Sequence, residues 1–179
     1  MKKPVNVFEY TEHICKAMPK GILLTTSHAG RVNTMTIGWG MMGIEWGKPI
    51  FVALVRESRY TKELLDASGE FTVNVPFGDT DGKILGFCGT KSGRDIDKIE
   101  QMGLTLETPE TISTPGLREF PLTLECKVLY KQEQQLSGIP APILERYYPQ
   151  NVPSTESGKN RDPHTAYYAE IVNAYLITD

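Results

Sequence analysis

Residues 31–61 alternate between what a β-strand needs and what a bound anion needs, and this constrains the fold more than any other stretch. Asn33, Thr34, Met35, Thr36, Ile37, Gly38 and Trp39 combine β-branched, hydroxyl and small residues. Trp46, Gly47, Lys48 and Pro49 mark a turn, and residues 50–55 form an unbroken apolar run. That pattern predicts two antiparallel strands, 33–39 and 50–55, with apolar packing on one side. The return strand enters Arg56, Glu57, Ser58, Arg59, Tyr60 and Thr61, a polar cationic loop opening a short helix. The hydroxyls of Ser58 and Thr61, the Arg59 guanidinium and the free N–H groups of a helix start all donate toward one point. A phosphate fits there.

A chain of 179 residues is long enough for a proper core and predicts one domain over 1–179. Hydrophobic residues make up 40%, mean hydropathy is −0.29, and no apolar run is long enough to span a bilayer. No membrane association is expected. Met1, Lys2, Lys3 and Pro4 are followed by no continuous apolar segment, so the start does not read as a secretory signal and a cytoplasmic location is expected. Net charge is −3 and the nineteen basic residues are scattered, which excludes the basic stripe of a nucleic-acid binder. Cys15, Cys88 and Cys126 stand far apart with no C-x-x-C pair, arguing against a zinc, iron–sulfur or dithiol site and for reduced thiols. No metal site is expected.

Taken in order, residues 6–18 predict an opening helix with Val7, Ile14, Cys15 and Met18 on one face. Residues 21–26 and 33–39 form a hairpin through His28, Ala29 and Gly30. Residues 62–67 are helical, capped by Ser58 or Thr61 and stopped by Gly69. Phe71, Val73 and Val75 alternate with Thr72 and Asn74 in a half-buried strand. Asn74 there is either a ligand-facing amide or an edge residue bonded to its own backbone. Residues 79–87 predict a helix broken at Gly86 and Gly89, residues 90–93 a loop, and residues 95–102 another helix. Residues 104–121 read as a surface meander, residues 121–130 as a strand with Cys126 in the core, and residues 164–177 as a long closing strand. Residues 131–163, rich in Pro, Ser and Asn with one short helix from Pro142, read as an insertion. The architecture is mainly β, a barrel with flanking helices. There is no αβαβ rhythm and no G-x-G-x-x-G, so a Rossmann domain is excluded.

Asn33-Thr34-Met35-Thr36 with Trp39, then Ser58-Arg59-Tyr60-Thr61, residues 70–76, residues 92–98 and His164-Thr165 occur in the order of the motifs of the flavin reductase and flavoredoxin family, which this chain resembles. The resemblance implies a split barrel of antiparallel strands in Greek-key order, with FMN held at a homodimer interface. It implies that Ser58, Arg59 and Thr61 hold the phosphate, that Asn33, Thr34, Met35 and Thr36 line the ring edge, and that Asn74, Ser92, Gly93 and Lys98 add contacts. Trp39 is either a wall for the ring or a core aromatic. His164 is either a catalytic residue beside the flavin or a structural hydrogen-bonder. Tyr167, Tyr168 and Tyr175 offer aromatic surface for a second subunit.

Two activities fit. One is an oxidoreductase passing electrons from NAD(P)H to flavin or an acceptor; the other is a flavoredoxin-like carrier reduced by a partner protein. Hydride transfer to a flavin requires no protein acid or base, so the lack of a catalytic triad excludes neither. The insertion either folds over the flavin's nicotinamide face or clamps a neighbouring subunit, its Ile139, Ile143, Leu144, Tyr147 and Tyr148 favouring the clamp.

Overall fold

The computed structural model describes residues 1–78, 80–156 and 158–178. The chain runs β1 (Lys2–Pro4), α1 (Thr11–Ala17), β2 (Ile22–His28), β3 (Arg31–Ile37), β4 (Gly40–Glu45), β5 (Lys48–Arg56), α2 (Tyr60–Ser68) and β6 (Glu70–Val75). It continues through α3 (Gly82–Thr90), α4 (Lys98–Gln101), β7 (Leu106–Glu107), β8 (Gly116–Leu117), β9 (Leu122–Glu133), α5 (Ala141–Tyr147) and β10 (His164–Ile177). One antiparallel sheet follows the order β3-β2-β6-β9-β10-β5-β4, with β1 added to β10. Its two end strands, β3 and β4, follow each other directly in the chain, so the sheet curls round while that seam stays unpaired. Two register irregularities between β9 and β10 supply bends that a long strand needs to coil. This is the split barrel the sequence predicted. No described helix is long and apolar enough to cross a membrane.

Period-2 alternation explains the two cores. Leu24, Phe51, Ala53, Phe71, Val73, Leu124, Cys126 and Tyr167 fill the barrel. Leu23, one residue from Leu24, points the other way and packs with Ile84, Cys88, Leu104, Leu117 and Phe120 beneath α3. A strand covered on both faces reads as a continuous apolar run, as Ile22, Leu23 and Leu24 do. Burial pushes the Cys126 thiol pKa well up, leaving it inert.

Several expectations need correction. The strand at 33–39 does not pair with 50–55. Instead β3 pairs with β2, and β4 forms the hairpin with β5 through Trp46 (φ 51°) and Gly47 (φ 69°). Two positive φ values in a two-residue turn match the strands' twist. Helix α3 runs through Gly86 and Gly89 instead of breaking there: a Cβ on Gly89 would lie 3.3 Å from Thr36 Cβ, so glycine lets the helix lie close to β3. The predicted start of that helix, Asp79, lies outside the described residues. Helix α4 is shorter than residues 95–102 because Asp97 caps it, its Oδ1 accepting from the N–H groups of Ile99 and Glu100. The meander at 104–121 is no mere surface loop, since it supplies Leu104, Leu117 and Phe120 to the second core. Cys15 is exposed while Ile14 takes the inward face. Tyr167 and Tyr175, expected to present aromatic surface, are 1% and 0% exposed.

Candidate functional site

Strand β3 is an end strand, so its outer edge keeps unpaired N–H and C=O groups, and α3 lies alongside. Two cavities open along this edge. A polar one of about 420 Å³ gathers Asn33, Ser58, Arg59, Thr61, Ser92, Gly93 and Lys98. A largely apolar one of about 740 Å³ gathers Ile37, Trp39, Leu54, Leu85, Tyr147 and His164. Met35, Thr36, Arg59, Gly89 and Thr90 line both, so the two form one groove. Each volume falls in the roughly 300–1,000 Å³ range of small-molecule sites.

The polar end is built for an anion. Helix α2 starts after Arg59 with no side-chain cap, so its first N–H groups remain for a ligand. Neither Ser58 nor Thr61 caps it, contrary to expectation. The Ser58 hydroxyl donates to Ser154 O (3.2 Å), and Thr61 Oγ1 accepts from Asn33 Nδ2 (2.7 Å). Arg59 Nη1 stands at the limit of hydrogen bonding, 3.5 Å from Gly89 O, which leaves the guanidinium largely uncommitted. Burial lowers its pKa, partly offset by Asp162. Lys98 is 4% exposed and its ammonium donates to Thr34 O and Cys88 O, both at 2.9 Å. An ammonium has three donors, so one remains. Burial, with Arg59 adding repulsion, lowers the Lys98 pKa to about 8.

At the wide end Trp39 is a wall, not a core aromatic. It is 38% exposed, with its ring 5.2 Å from Tyr147 and 5.1 Å from His164. A hydrogen-bond chain sets the tautomer of His164. Gln134 Oε1 accepts from the His164 backbone N–H (3.3 Å), an obligate donor, and also from the Tyr148 hydroxyl (2.9 Å). The hydroxyl's one proton is thereby used, so its 2.9 Å contact with His164 Nδ1 requires Nδ1–H to donate. Nε2 is then a bare acceptor, on the edge turned away from Tyr148. Burial, then Arg56 and Arg59, lowers the His164 pKa to about 3, so the imidazole is neutral at physiological pH.

Two expected site residues lie elsewhere. Asn74 is fully buried: its Nδ2 donates to Thr25 Oγ1 and Thr72 Oγ1 (both 3.0 Å), and its Oδ1 accepts from Leu117 N (2.9 Å). It ties β6 to β8, and nothing is left over for a ligand. The Thr34 side chain is fully buried on the face that carries Leu23 and Asn74, where its Oγ1 accepts from Thr25 Oγ1 (3.0 Å); only its carbonyl takes part, through Lys98.

Arg56 was not anticipated. It is 5% exposed, and its guanidinium donates to Tyr147 O, Gly158 O, Asn160 O, Asn160 Oδ1 and Asp162 O, with Tyr148 beneath it at 4.9 Å. One side chain at the end of β5 therefore fastens the whole insertion to the barrel. A cation at the end of an apolar strand was the visible signal; its partners, about a hundred residues away, were not. The insertion closes over its own cavity: Arg146, Tyr147 and Lys159 line the wide end, and Ser154 and Thr155 the polar end.

A split barrel with a polar pocket opening into a broad, largely apolar cavity defines a class of small-ligand-binding proteins. Within it, the profile of the flavin reductase like domain matches residues 15–179, and the chain belongs to that family. An uncharacterised protein of Archaeoglobus fulgidus is 30% identical over 129 residues, covering 72% of this chain and 68% of that protein. Among solved structures, flavoredoxin from Methanosarcina acetivorans superposes with a TM-score of 0.64 at 24% identity, over 88% of this chain and 68% of its own. An FMN-binding domain of a flavin reductase-like enzyme from Shewanella baltica gives 0.67 at 18%, over 98% and 77%. At these identities the structural likeness is one of fold.

Proposed function

We propose that the chain binds FMN and works as an oxidoreductase passing electrons from NAD(P)H to flavin or a further acceptor. The observation that carries this reading is the continuity of the two cavities, a polar, cation-bearing pocket opening into a largely apolar space along the strand edge of β3 that has no strand partner. A flavin, which supplies reversible acceptance of one or two electrons, asks for those three features together. Gly93 supports the fit, because only a residue without a side chain leaves room there beside Asn33. Arg59, the third donor of Lys98, Ser92 and the start of α2 would hold the phosphate. The open edge of β3 at Met35 and Thr36 would meet the polar rim of the ring, and Trp39 would close one end. His164 would offer Nε2 as a neutral acceptor and hold the insertion through Tyr148.

A second copy of the chain is proposed to cover the outer sheet face. The register places Met41 opposite Val52, Val52 opposite Tyr168 and Tyr168 opposite Tyr130, an apolar band across β4, β5, β10 and β9. At its two ends Met41 is 53% and Tyr130 47% exposed. A band of this kind supports an interface.

The test is flavin uptake with and without the phosphate. Arg59→Ala should weaken FMN binding by about 1.5–3 kcal/mol and riboflavin binding far less. Equal losses for both would remove Arg59 from the phosphate site, and a protein that takes up no FMN would end the reading. Steady NADH or NADPH oxidation by the loaded protein separates the enzyme from a carrier that accepts electrons only from a protein donor.

A further inference from the structure

The cations around the groove outnumber what one flavin phosphate uses. The wide cavity is lined by Arg56, Arg59, Arg146 and Lys159, and among the described residues no Asp or Glu lines it. Arg56 is committed to five oxygens of the insertion, and Arg59 stands at the junction with the anion pocket. A phosphate of about two negative charges is matched at the polar end by Arg59, Lys98 and the helix start. Arg146 and Lys159 remain. Both belong to the insertion, and both have exposed side chains. Among the described residues neither forms an ion pair with a carboxylate, whereas Arg94 pairs with Glu63 and Arg118 with Glu107. Arg146 is stacked 5.0 Å from the Tyr147 ring, which holds its guanidinium at the cavity wall. In a chain of net charge −3, two uncompensated cations beside an apolar space mark where a second anion docks.

We propose that the wide cavity admits an anionic second ligand, a planar ring bearing a carboxylate or phosphate, and that Arg146 and Lys159 grip its charge while Trp39 and Tyr147 flank its ring. This rests on the flavin reading, since it assumes that the flavin phosphate lies at the polar end. The insertion is then a specificity element, selecting by charge what meets the flavin.

The experiment titrates FMN-loaded protein, and its Arg146→Gln/Lys159→Gln double variant, with benzoate, its neutral analogue benzamide, and oxidised NAD, following the flavin difference spectrum and Trp39 fluorescence. Both side chains are exposed, so the variant should fold, and its FMN dissociation constant is measured alongside. The expected result is that the protein prefers benzoate to benzamide, that the preference falls with added salt, and that the variant loses roughly five- to thirtyfold in affinity for the anion with FMN affinity kept within about twofold. A loss for benzoate alone identifies a small carboxylate as the ligand; a loss for NAD as well identifies the dinucleotide's phosphates. Equal binding of benzoate and benzamide, or no change in the variant, overturns the inference and leaves the flavin reading intact. A variant that loses FMN in parallel also overturns it, because the cations then serve the flavin itself. Failure of the unmodified protein to take up FMN overturns both.

Discussion

An ideal Cβ on Gly93 would lie 2.0 Å from Asn33 Oδ1 and 2.9 Å from Tyr60 Cδ1. Any side chain there must displace Asn33, whose amide holds Thr61 at 2.7 Å. Gly93→Ala should therefore lower stability by about 1–3 kcal/mol and open the anion pocket, so thermal unfolding and FMN titration should both report a loss. An unchanged FMN affinity would remove Gly93 from the site. Lys98 gives a pH signature. Its pKa is lowered to about 8 by burial, so below that pH it is charged and FMN binding should be flat. Above it the free protein loses the proton that a bound phosphate favours, and binding must take one up. The FMN dissociation constant should rise by up to about tenfold per pH unit between about 8 and the higher pKa of the complex. Riboflavin should show no such rise, and Lys98→Met should abolish it.

The insertion is held chiefly by Arg56, with Ser58 to Ser154 O and Tyr148 to Gln134 as further ties. Lysine in place of Arg56 keeps the charge but has three donors on a single nitrogen, too few and too narrowly placed for five oxygens spread over Tyr147, Gly158, Asn160 and Asp162. Buried carbonyls left unpaired cost about 1–3 kcal/mol each. Arg56→Lys should thus release residues 149–163 to limited proteolysis while the barrel resists, and FMN should bind more weakly because Ser154 and Thr155 line the anion pocket. Protease resistance equal to that of the parent protein would show that the insertion is held by something else. Residues of the insertion line the groove of their own subunit, and α5 contributes no buried residue to it.

Across the whole molecule, the apolar band over β4, β5, β10 and β9 predicts a homodimer. Light scattering should give about 40 kDa, twice the chain mass of 20.0 kDa, and Met41→Lys combined with Tyr130→Lys, both on the band, should give the monomer. A flavin-loaded monomer of the unmodified chain at micromolar concentration would refute the proposal. A stable dimer buries about 800 Å² per partner, more than Met41 and Tyr130 provide alone, so the strip through Val52 and Tyr168 between them must take part.

By itself, the sequence determined whatever rests on neighbours in the chain. Residues 164–177 are rich in aromatic and β-branched side chains and form β10 over that span. Hairpin β2–β3, the turn at Trp46 and Gly47, and the polar loop at Ser58, Arg59 and Thr61 are equally local, and they lie where their residue types required. The tertiary structure decided everything that depends on which strand lies beside which. It left β3 and β4 at the two ends of the sheet, unpaired with each other, and it turned Asn74 into a bonded tie inside the protein. It also spent the charge of Arg56 on carbonyls a hundred residues away and left Arg146 and Lys159 unpaired. Hydrogen-bonding capacity is written in a residue's type, but whether it is used up internally or remains for a ligand depends on contacts between distant parts of the chain, and no local pattern encodes those.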